Sequence, residues 1–133
     1  TISAHDNMVA INGALSVDLT GQIASESIGP RMYTGSGGQP SFAIGSMLSK
    51  GGRSIIMLRS TSNDGNVSRI TSCLDAGTIV TVPRNFADYI VTEFGIASLL
   101  GKSQRERAQE LIAIAHPDFR SELERQARKL FWP

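Results

Sequence analysis

Ser54-Ile55-Ile56-Met57-Leu58 is the stretch that decides the fold. It is a short continuous apolar run, preceded by Gly51-Gly52 and followed by polar residues. Its length and its glycine flank suit a strand, and the lack of alternation suits one buried on both faces, as in the parallel sheets of α/β proteins. Other candidate strands lie on either side. Tyr89-Ile90-Val91-Thr92 ends just before Gly95, and the β-branched Thr78-Ile79-Val80-Thr81-Val82 is stopped by Pro83. Ala14-Leu15-Ser16-Val17-Asp18-Leu19 alternates apolar and polar residues, as a half-buried strand does.

Helical signals dominate the last third. Ser103 followed by Glu106 forms an S-x-x-E capping box, and Ala108, Leu111, Ile112 and Ala115 then share one helical face. Pro117 suits the first position of a further helix, whose apolar stripe is Phe119, Leu123, Ala127 and Leu130. A shorter helix is expected from Pro40 through Phe42, Ile44 and Leu48. The expected class is therefore α/β: a layered open sheet with helices packed on it and amphipathic C-terminal helices. With no internal repeat, charge block or low-complexity linker, residues 1–133 read as a single unit.

Composition narrows the function classes. Apolar residues make up 41% and charged residues 19%, a globular balance. The formal net charge of +1 gives no electrostatic case for nucleic acid or an anionic membrane surface. The C-terminal arginines are interleaved with Glu106, Glu110, Glu122 and Glu124, as on a solvated helix face. No apolar run approaches the roughly 20 residues that a membrane helix needs. The single cysteine, Cys73, excludes an intrachain disulfide, fits a reducing cytoplasmic setting and reads as core filler. His5 and His116 lack ligand-like spacing, so no metal is expected. The opening Thr1-Ile2-Ser3-Ala4-His5 reads as the interior of a longer chain.

The best candidate for chemistry is Thr34-Gly35-Ser36-Gly37-Gly38-Gln39-Pro40. Closely spaced glycines allow positive φ and close approach of a ligand to the backbone. Successive amides, followed by a helix N-terminus, can converge on an anion or a developing oxyanion. A loop that merely turns the chain has the same composition, and the spacing fits neither a dinucleotide fingerprint nor a P-loop. The polar Ser60-Thr61-Ser62-Asn63-Asp64-Gly65-Asn66 follows the Leu58 strand end and reads either as a ligand loop or as a hairpin turn. Glu93 could serve as base or nucleophile, although accepting backbone hydrogen bonds or pairing with an arginine such as Arg84 is the plainer role. Asp18 has the same ambiguity.

Several segments together resemble the C-terminal domain of the acetyl-CoA hydrolase/transferase family, which includes 4-hydroxybutyrate CoA-transferases. Ile11-Asn12-Gly13-Ala14-Leu15-Ser16-Val17-Asp18-Leu19-Thr20-Gly21-Gln22 is similar to that family's N-x-A-x-x-V-D-x-x-G-Q segment. Ser25-Glu26-Ser27-Ile28-Gly29, Gly35-Ser36-Gly37-Gly38-Gln39, Val67-Ser68-Arg69-Ile70 and Val82-Pro83-Arg84-Asn85 follow in order. Tyr89, Gly95-Ile96-Ala97, Gly101-Lys102, Arg105-Glu106-Arg107-Ala108 and Ala115-His116-Pro117 complete the series.

The resemblance implies an enzyme part that moves coenzyme A between carboxylic acids or hydrolyses the thioester. It implies a glutamyl-CoA intermediate on a glutamate that would precede Thr1, so neither Glu26 nor Glu93 takes that role. It implies that Gly37 and Gly38 help form the oxyanion hole, and that Gly35, Gln39, Ser60 and Asn63 lie near the bound coenzyme. The implied substrates are acyl-CoA and a small carboxylic acid, with no tightly bound cofactor, and the full-length protein is expected to be a homo-oligomer. Pro40-Ser41 stands where the family commonly has Val-Asp, Asn63 where some relatives have lysine, and Gly13 where serine is usual. A degenerate coenzyme-binding module and a structural or dimerisation domain are the competing readings.

Overall fold

The computed structural model describes residues 1–132. In chain order the strands and helices are β1 (Val9–Gly13), β2 (Ser16–Asp18), β3 (Ile23–Ala24), β4 (Ser27–Ile28), β5 (Arg31–Met32), α1 (Gln39–Leu48), β6 (Arg53–Met57), β7 (Ile70–Thr71), β8 (Tyr89–Thr92), β9 (Gly95–Ser98), α2 (Gln104–Ile114) and α3 (Pro117–Phe131). Short 3₁₀ turns occur at Ile2–Ala4 and Arg84–Phe86.

The main sheet has the order β1-β6-β8-β9. β1, β6 and β8 run parallel, and β9 returns antiparallel from β8. A smaller sheet, β3-β2-β7, and a two-stranded hairpin, β4-β5, complete the β structure. One face of the main sheet presents Ser54, Ile56, Ile90 and Ala97 to α1 and α2, and all four are buried. Ile56 and Ile90 join Val17, Leu19, Ile23, Ile70, Leu99 and Leu111 in one core shared by both larger sheets and the C-terminal helices.

Expectations for the helices agree with the structure. Ser103 Oγ accepts from the Glu106 amide at 3.3 Å, and the Glu106 carboxylate accepts from the Ser103 amide at 3.0 Å, which completes the capping box. Pro117 opens α3, and His116 Nδ1 caps it by accepting from the Asp118 amide at 3.1 Å. Ala108, Leu111, Leu123 and Ala127 are buried, whereas Leu130, at the end of the expected stripe, is exposed in the last turn of α3.

The strands are less regular than expected. The run 54–58 forms a strand as far as Met57, but Met57 is 50% exposed and Ile55 half-buried, so only one of its faces is covered. Thr78-Ile79-Val80-Thr81-Val82 forms no strand, and only Val82 bridges Ile23. Side chains there intercept the backbone donors that a ladder would use. Thr78 Oγ1 accepts from the Gly29 amide, Ser27 Oγ from the Ile79 amide and Thr81 Oγ1 from the Ser25 amide. Cys73 is exposed rather than in the core, because it lies in the irregular stretch after β7.

Candidate functional site

The glycine loop, residues 34–38, lies between β5 and α1 and is exposed throughout. Gly37 adopts φ +55°, a left-handed conformation that costs other residues about 1–2 kcal/mol. Gly38 is the N-cap of α1 and, having no side chain, supplies no cap of its own. Among the described residues, the amides of Gly35, Ser36, Gly37 and Gly38 donate to no backbone acceptor. No heavy atom lies within 4 Å of where a Cβ would stand on Gly35 or Gly37, whereas one on Gly38 would meet the Phe42 ring at 3.3 Å. The loop thus presents a series of free donors at the positive end of a ten-residue helix, beside open space.

Gln39 begins α1, with Pro40 second, and its side-chain Nε2 is buried without a partner. Ser60 is fully buried at the carboxyl end of β6, and its Oγ makes no well-formed hydrogen bond. A buried polar group left unpaired costs about 1–3 kcal/mol, so Gln39 Nε2 marks a place where a polar partner would be stabilising, whereas the Ser60 hydroxyl has the Glu93 carboxylate beside it.

The segment after β6 turns back on itself. Thr61 bridges Ser68, Ser62 Oγ donates to Asp64 at 2.6 Å, and the Arg59 guanidinium donates to Asn63 Oδ1 at 3.1 Å. Asn63 lines a cavity of about 140 Å³ together with Ala14, Leu15, Arg59, Thr61 and Arg69. The glycine loop does not line that cavity, so the expected site residues fall into two groups.

Glu93 organises this second group. Its Oε1 accepts the Ser60 amide at 2.7 Å, tying the turn after β8 to the turn after β6. Burial pushes its carboxyl up, but hydrogen bonds from its own amide and from Ser60, with the charge of Arg59, hold it below the usual glutamate value. The expected backbone-acceptor role is observed, whereas its cationic neighbour is Arg59 rather than Arg84. Asp18 is likewise structural. It accepts from the amides of Thr20 and Gln22 and from both their side chains, locking the turn that leads into β3. Glu26 accepts from Thr81 Oγ1 at 2.9 Å. Sequence reasoning missed Arg59 as a lining residue, and its place one residue after an apolar strand end was the available signal.

The geometry has counterparts in known proteins. The family model described as the acetyl-CoA hydrolase/transferase C-terminal domain matches residues 1–127. This chain belongs to that family. Within the acetyl-CoA hydrolase/transferase family, it is 53% identical over 130 residues to a 4-hydroxybutyrate coenzyme A transferase of Clostridium kluyveri, a match covering 98% of this chain and 30% of that protein. It is 50% identical to a succinyl-CoA:cyclohexane-1-carboxylate CoA transferase of Geobacter metallireducens, over 97% of this chain and 30% of that protein. The crystal structure of RipA from Yersinia pestis superposes with a TM-score of 0.89 at 50% identity, covering 97% of this chain and 29% of RipA. The chain therefore spans about 30% of the length of the curated relatives it matches. No described helix is long and apolar enough to cross a membrane.

Proposed function

We propose that this domain supplies the oxyanion-stabilising and coenzyme-contacting half of a CoA-transferase active site. The substrates are an acyl-CoA and a small carboxylic acid. The observation that carries this reading is the row of unpaired amides at residues 35–38, set at a helix N-terminus with open space in front of it.

In this reaction a glutamate carboxylate outside residues 1–133 attacks the thioester carbonyl carbon. The carbonyl electron pair moves onto oxygen, and the Gly37 and Gly38 amides stabilise that oxyanion. Collapse expels the CoA thiolate and leaves a mixed anhydride. The thiolate then attacks the glutamyl carbonyl, releasing the first carboxylate and forming a glutamyl-CoA thioester. A second carboxylate reverses the sequence and leaves as the new acyl-CoA. Gly35, Gln39, Ser60 and Asn63 contact the coenzyme in this scheme. Water in place of the second carboxylate gives the hydrolase outcome, the alternative that the family description also covers.

The test is steady-state CoA transfer from acetyl-CoA to butyrate by the longer protein that carries this domain, with Gly38 intact or as Gly38→Val. The added side chain projects toward Phe42 and displaces the loop amides. The expected result is a kcat lower by about 100-fold, the scale of losing one oxyanion donor, with the melting temperature little changed. An unchanged kcat in the folded variant removes the oxyanion role. A second reading, a coenzyme-binding module without turnover, is motivated by Pro40-Ser41 where the family commonly has Val-Asp. Coenzyme binding by the longer protein without turnover would favour it.

A further inference from the structure

The main sheet is covered on one face only. On the other face lie Val9 and Ile11 of β1, Ile55 and Met57 of β6, Val91 of β8 and Ile96 of β9. The strand register places them side by side, with Ile11 opposite Ile55, Met57 opposite Val91 and Val91 opposite Ile96. Val9, Ile11, Met57 and Ile96 are 48%, 59%, 50% and 65% exposed. Arg53 opposite Val9, with Tyr89 and Ser98, edges this face at one end. The rest is an apolar patch across all four strands, the type of surface that marks an interface.

Among the described residues, no helix is placed to cover it. The crossover from β1 to β6 carries α1, which packs with Ala43 and Ser46 against the covered face. The crossover from β6 to β8 contains no α-helix among the described residues. α2 packs on the covered side as well, where Thr92 Oγ1 donates to the Ile114 carbonyl at 2.6 Å. Sheets built mainly from parallel strands are buried on both faces, normally under helices. The unbroken apolar run 54–58 is the sequence of such a two-sided strand, yet here it is half covered.

The occupant follows from these facts and from the lengths of the relatives. We propose that this face is the docking surface for apolar-striped helices carried by the counterpart of the sequence that the relatives possess beyond this domain, more than half of their length. A second copy of this chain would set sheet on sheet, the less common partner for parallel strands. The proposal does not depend on the chemistry assigned to the glycine loop.

Met57 provides the readout, because a covered methionine resists peroxide and an exposed one does not. Oxidation at Met57 is followed by peptide mass spectrometry in the 133-residue chain and in the longer protein containing it. The expected result is at least tenfold slower oxidation in the longer protein, with oligomeric state checked by sedimentation in both. Ile11→Lys and Ile96→Lys, which alter exposed positions, are expected to leave the melting temperature of the 133-residue chain within about 2 °C. In the longer protein they are expected to lower it by about 5 °C or more, a scale set by burying a charge. Three results would overturn the proposal. One is equal oxidation in both proteins. Another is harmless lysines in the longer protein. The third is protection that appears in the 133-residue chain through dimerisation, which assigns the face to a second copy. Protection of Met57 in a longer protein that has no transferase activity supports the docking face and counts against the catalytic reading alone.

Discussion

Gln39 and Glu93 show how single side chains report on the site. The Nε2 of Gln39 is buried and unpaired, so replacing it with the similarly shaped but apolar methionine removes a desolvation cost and no protein hydrogen bond. Gln39→Met is therefore expected to keep or raise stability, by up to about 1 kcal/mol in urea unfolding, while raising the KM for acyl-CoA in the longer protein. Loss of stability with an unchanged KM would make Gln39 a purely structural residue. Glu93 yields a pH dependence. Its carboxyl is held below the usual glutamate value, so its ionised form is favoured by folding. Its contribution is fully present above the unfolded-state pKa and is lost as pH falls through the lower folded value. The Ser60 amide, 2.7 Å from Glu93 Oε1, is expected to shift in an NMR titration with a midpoint below the usual glutamate range. A midpoint at or above that range would mean the carboxylate does not hold this turn.

At the scale of elements, capping and close packing set the costs. Ser103→Ala removes one side of a complete capping box and is expected to cost about 1 kcal/mol, read from urea unfolding. Gly52 stands where a Cβ would lie 1.7 Å from the Ser46 carbonyl oxygen, between α1 and β6. Gly52→Ala is therefore expected to destabilise by about 3 kcal/mol, and a cost under about 1 kcal/mol would contradict this packing of α1 on the sheet. The helices were legible because capping and apolar spacing are local: Ser103, Glu106 and Pro117 each act within a turn. The strands were legible only in part. Val9–Gly13 carries little local strand signal, because its pairing partner, Arg53–Met57, lies some forty residues along the chain. Residues 78–82 look like a strand by composition, but Thr78 and Thr81 spend their hydroxyls on the amides of Gly29 and Ser25. The glycine loop could be read from its composition, whereas the Glu93–Ser60 tie could not, since it depends on how two distant turns meet.

The whole molecule combines a well-packed core with two incomplete features, an open apolar sheet face and a row of unpaired amides. Both are the features on which the proposed function and the proposed docking face rest. On the proposed function, this domain stabilises an oxyanion formed by a nucleophile located elsewhere. Intact-mass and peptide mapping of the longer protein after incubation with acetyl-CoA reads this out. The expected result is a covalent coenzyme A adduct on a glutamate outside residues 1–133, formed more slowly in Gly38→Val. An adduct on Glu26 or Glu93, or turnover with no adduct at all, would contradict it.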